Sequence, residues 1–107
     1  MTHHTTLSIP LTTLTHYNAI LADPAIVPKR KNVDVLASWT ARFATCPGIE
    51  ADINVVNGDD DTGPFVDAVL FDQGSEVALL DPAHRLNGDY CFTVNDTVFC
   101  VTVTAAA

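Results

Sequence analysis

Positive charge is scarce in this chain: five lysines and arginines stand against thirteen acids, for a net charge of −8. Phosphate neutralisation needs the opposite balance, so direct nucleic-acid binding is a poor fit. Cysteine is scarce too, with only Cys46, Cys91 and Cys100. An odd set builds no disulfide framework, and without a Cys-x-x-Cys pair there is little support for redox catalysis. His3, His4, His16 and His84 lack the short paired spacing of a structural zinc site. No apolar run approaches the roughly 20 residues of a membrane span. Met1 to Thr6 lacks the basic-then-apolar pattern of a secretory signal, so a cytoplasmic location is expected. Nucleophile-elbow, phosphate-cradling and Cys–His signatures are all missing, and no cofactor is expected.

What remains is a 107-residue chain with 48% hydrophobic and 17% charged residues, the composition of a folded globule. That length suits a single domain spanning 1–107. Its charge is uneven. Residues 1–43 carry Asp23 and Asp34 against Lys29, Arg30, Lys31 and Arg42, a balance of +2. Residues 44–107 carry eleven acids against Arg85 alone, a balance of −10. Such an asymmetry keeps a protein soluble and steers basic partners toward its acidic part.

Along the chain, Leu7 and Ile9 suggest a short edge strand ended by Pro10. Leu11, Leu14, Tyr17 or Asn18, and Leu21 recur at helical intervals and Ile20 widens the stripe, with Thr12 or Thr13 as cap and Asp23-Pro24 as stop. Leu36, Trp39 and Phe43 fall at i, i+3 and i+7, which predicts a second helix from about Asn32 to Thr45, halted by Cys46-Pro47-Gly48. Ile49 to Val56 alternates as a half-buried strand, with Ala51, Ile53 and Val55 inward.

Two hairpins follow. With Asn95-Asp96 as turn, Tyr90, Phe92, Val94, Phe99, Val101 and Val103 share a core face, and Cys91 lies directly opposite Cys100. With Gln73-Gly74 as turn, Val66, Ala68, Leu70, Val77 and Leu79 read as core. The opposite face carries Phe65, Asp67, Val69, Phe71, Glu76, Ala78 and Leu80, an apolar patch among acids of the kind that marks contact sites. These elements predict an α+β fold: two N-terminal helices (about 11–45) packed on a four- to five-stranded antiparallel β-meander (about 50–104).

The Asp59-Asp60-Asp61 loop is the one metal candidate. Asp59 and Asp61 alternate with Asn57 as calcium ligands do, but Thr62 stands where that pattern needs glycine and no glutamate closes the loop. For function, the expectation is an acidic protein–protein interaction module whose face (Phe65, Asp67, Val69, Phe71, Glu76, Leu80) binds a basic partner surface or a second copy of the chain, as a homo-oligomer. The alternative is a small enzyme or ligand-binder that uses the same face as a pocket, with Asp67 as its ionisable group.

Overall fold

Strands form wherever this chain sets every second residue apolar, and that happens more often than its helical spacings suggest. The computed structural model describes residues 1–22, 34–57 and 64–106. Within these residues the chain forms β1 (Thr2–Pro10), α1 (Leu11–Ala22), β2 (Asp34–Arg42), β3 (Ile49–Asn57), β4 (Pro64–Asp72), β5 (Ser75–Ala83), β6 (Gly88–Val94) and β7 (Thr97–Ala106). Strands β2-β3-β4-β5 make one antiparallel sheet in sequence order. A second sheet has the order β1-β7-β6, with β1 parallel to β7 and β6 antiparallel to it. No described helix is long and apolar enough to cross a membrane.

The α+β expectation of two helices on a single meander is therefore overturned. Among the described residues the fold is mostly β, with one helix and two sheets. Helix α1 matches its expected span, and Leu14, Ile20 and Leu21 are its buried stripe. The expected second helix is the strand β2 instead. Ala37, Trp39, Ala41 and Phe43 alternate with Ser38, Thr40 and Arg42, and this period of two competes with the i, i+3, i+7 spacing. Pairing with β3 decides the contest, because Trp39 lies across from the fully buried Ile53 and Ala41 from Ala51. Leu36 falls in a register shift between Val35 and Ala37, which lets both it and Ala37 pack against the core.

The inner faces of the two sheets meet in one continuous core. Ala51, Ile53 and Val55 of β3, with Val66, Ala68 and Leu70 of β4, pack in the same cluster as Phe92, Val101 and Val103 of the other sheet. Phe99 joins three strands: His3 of β1 stacks on it at 5.1 Å, and Phe43, just past β2, meets it edge-on at 5.4 Å. Such aromatic pairs add roughly 0.5–1.5 kcal/mol beyond their buried area. Leu14 and Leu21 of α1 belong to the same cluster, and Tyr17 meets Trp39 edge-on at 5.8 Å.

The chain crosses from the four-stranded to the three-stranded sheet between β5 and β6, and there Tyr90 pins it. Its hydroxyl proton is shared between the carbonyl oxygens of Arg85 at 2.6 Å and Leu86 at 2.7 Å. This is a tyrosine corner, in which a strand-opening tyrosine bonds back to the backbone just upstream. Leu86 is fully buried beneath it, and the Arg85 guanidinium lies 5.9 Å from the ring centroid. Gly88 opens β6 at φ 140°, a conformation that side chains rarely adopt.

Burial pushes the Tyr90 phenol up to about 12, against an opposing pull from Arg85. Folded and unfolded chains both hold this proton below pH 10. Between pH 10 and about 12 only the unfolded chain releases it, so stability falls as pH rises through that window. Urea unfolding should show a loss on the order of 1 kcal/mol per pH unit there, and Tyr90→Phe should remove this component. At neutral pH the same substitution should cost about 1–3 kcal/mol, because buried corner carbonyls lose their donor.

Candidate binding face on the four-stranded sheet

Alternation along β2 to β5 turns a second set of side chains away from the core, and cross-strand register arranges them in rows. Arg42, Glu50, Phe71 and Glu76 form the first row, and Thr40, Asp52, Val69 and Leu79 the second. Ser38, Asn54 and Asp67 make the third, and Val35, Val56 and Phe65 the fourth. Val69, Phe71 and Leu79 thus form an apolar cluster over the first two rows, and the polar third row, with Asp67 between Phe65 and Val69, separates it from Val35, the buried Val56 and Phe65.

Phe65, Asp67, Val69 and Phe71 share this outer face, as the alternation of β4 predicts, and each is half-buried. Glu76 joins them opposite Phe71 and is exposed. Leu80 does not. The pairing of β5 slips by one residue just beyond the Gln73-Gly74 turn, so that Leu70 meets Ala78 and Ala68 meets Leu80. Ala78 and Leu80 therefore pack against the core, while Leu79 turns outward at 65% exposure. The physical cause is a bulge: Val77 is an extra residue on β5, and one extra residue inverts the parity of everything beyond it. The expected core positions Val77 and Leu79 are accordingly both exposed. A second register shift on the same pair falls between Val66 and Ala68.

The face is weakly tied within itself. Arg42 meets Glu50 at 3.7 Å between exposed side chains, a pair worth under about 1 kcal/mol. The Thr40 hydroxyl donates to Asp52 at 3.0 Å. Among the described residues neither Asp67 nor Glu76 enters an ion pair, and a cleft lies elsewhere on the molecule. That cleft, about 250 Å³, sits between the sheets at the end bearing the β4–β5 and β6–β7 turns. Cys46, Ile49, Asp72, Val77, Val94 and Phe99 are among its lining residues, and Asp67 is not. Sequence reasoning had no signal for it, because it brings together residues of five separate strands, β3 to β7.

The second hairpin agrees with expectation residue for residue: Tyr90 faces Val101, Cys91 faces Cys100 and Phe92 faces Phe99. Both thiols are free. Asp59 and Asp61 lie outside the described residues, as do Asp23, Pro24 and the basic cluster Lys29-Arg30-Lys31. Among the described residues no three His, Cys, Asp or Glu side chains gather as a metal site. Neither a protein-family model, nor a curated protein, nor a solved structure matches this chain. Function must therefore be argued from its own surface.

The slipped register has a direct check. Leu79→Ser should leave unfolding free energy within about 0.5 kcal/mol of wild type, as exposed substitutions do. Leu80→Ser, one position on, should cost more than about 1 kcal/mol by setting a hydroxyl against the core. The reverse order in urea titrations would restore the unslipped ribbon.

Proposed function

We infer that this chain is a non-enzymatic binding module of the cytoplasm, which docks a basic protein surface onto the outer face of its four-stranded sheet. The observation that carries this reading is a contrast between two outer faces of one fold. On the three-stranded sheet the outward positions are Thr2, His4, Thr6 and Ser8 of β1, Thr102 and Thr104 of β7, and Asp89 and Thr93 of β6. Apart from Val98 and the two thiols that is an ordinary wetted surface. On the four-stranded sheet the corresponding positions hold Val35, Phe65, Val69, Phe71 and Leu79. Of these, Val69, Phe71 and Leu79 adjoin one another with carboxylates beside them, which is the kind of apolar area that contact surfaces present.

Charge selects the partner. Among the described residues, Glu50, Asp52, Asp67 and Glu76 share this face with one cation, Arg42. A second copy docked face to face by a two-fold axis would set like carboxylates near one another. A surface with lysines or arginines around an apolar centre would instead match both features, with acids steering the encounter and Phe65, Val69 and Phe71 supplying buried area.

A synthetic peptide of alternating lysine and leucine serves as probe. Amide shifts in labelled protein should move along the rows of Val69 and Phe71, and affinity should fall as salt rises. Asp67→Lys should weaken binding several-fold without unfolding the chain. Shifts spread evenly over every acidic site would overturn the reading. So would a stable dimer by analytical ultracentrifugation, which would make a second copy the occupant.

A further inference from the structure

On the opposite side of the molecule, the three-stranded sheet brings its two remaining cysteines side by side. Cys91 and Cys100 are direct partners across β6 and β7, on the outward face, three pairs from the Asn95-Asp96 turn. Counting from that turn makes theirs a non-hydrogen-bonded pair, the antiparallel position where opposing residues approach most closely, at roughly 4.5 Å between Cα atoms. Disulfides span about 4.4–6.8 Å between Cα atoms, so the backbone already meets the requirement. Cys91 is exposed and Cys100 half-buried on the central strand, with His4 of β1 aligned on its other side. The hairpin is fixed on its inner face by Tyr90, Phe92, Phe99 and Val101, all buried, so its register cannot drift.

We propose that Cys91 and Cys100 form a reversible dithiol–disulfide site, oxidised by low-molecular-weight disulfides of the glutathione class. In the first step the thiolate of exposed Cys91 attacks one sulfur of the small disulfide. A mixed disulfide forms and one small thiol leaves with a proton. The thiolate of Cys100 then attacks the Cys91 sulfur, closing the protein disulfide and releasing the second small thiol. Two electrons pass from the two protein sulfurs to the small disulfide, and two thiol protons end on the released thiols. Excess reduced small thiol reverses both steps.

Burial, then neighbouring Cys100, then the Asp89 carboxylate push the Cys91 thiol up to about 11. Entry is therefore slow at neutral pH, which suits a site that follows the redox poise rather than a catalyst that turns over. Closure would stitch the edge strand β6 to the central strand β7 and hold the hairpin beside the Tyr90 corner. This role is independent of the acidic face, which belongs to the other sheet. Cys46 stands apart in the cleft between the sheets and serves as internal control.

The test equilibrates the full chain and its Cys46→Ser variant with buffers of graded reduced and oxidised glutathione, followed by acid quenching and intact-mass measurement. Trypsin cuts after Arg85, so both cysteines fall in one C-terminal peptide. That peptide should lose two hydrogens under oxidising buffers and regain them under reducing ones, and the oxidised protein should melt at a higher temperature. Cys100→Ser should accumulate a glutathione adduct on Cys91, and Cys91→Ser should react more slowly. A wild-type protein that stops at the glutathione adduct would overturn the proposal. So would one that keeps two free thiols throughout, or whose melting temperature falls on oxidation.

Discussion

One hydroxyl group holds the two halves of this fold in relation. Where β5 ends and β6 begins, the chain leaves one sheet for the other, and the ladder hydrogen bonds lapse over residues 84–87. Backbone carbonyls in such a crossing must find donors or be solvated. Tyr90 supplies the donor for Arg85 and Leu86 from inside the core, where it is only 2% exposed. The ring then sets the phase of β6, and β6 sets the phase of β7. Strand β7 in turn carries β1, whose parallel pairing runs from Thr2 opposite Val98 to Pro10 opposite Ala106.

How much of this could be read from residues alone depended on whether a local pattern had a rival. The β6–β7 hairpin had none: a two-residue turn and unbroken alternation on both arms gave every pair. Strand β3, helix α1 and the edge strand at Pro10 were equally plain. Strand β2 carried two periodicities at once: Trp39 and Phe43 fit either, whereas Leu36 fits the helical spacing and joins the strand's inner face only through a bulge. The winner was set by Ile53 and Ala51 across the sheet, which lie outside any local window. The parallel union of β1 and β7 joins the two ends of the chain, and no short-range signal encodes it.

The candidate face was legible by halves for the same reason. On β4, alternation alone assigns Phe65, Asp67, Val69 and Phe71 to one side, and they are there. On β5 the run Val77-Ala78-Leu79-Leu80 is apolar throughout, so no residue in it marks which side is wet. A bulge within such a run leaves no trace in composition, and it exchanged Leu80 for Leu79. The patch kept its character because a leucine replaced a leucine.

Bulges also bear on how this surface can associate. Both edge strands of the four-stranded sheet are irregular, β2 at Leu36 and β5 at Val77 and again where it pairs with β4 between Val66 and Ala68. Twisted or proline-bearing edges resist strand addition by another chain. An exposed apolar sheet face flanked by open edges would invite uncontrolled stacking and pairing, whereas here only the face is open. Its carboxylates resist like faces, and its edges resist new strands. Both features are consistent with the proposed reading, in which a partner that brings positive charge and an apolar centre together approaches the sheet from above.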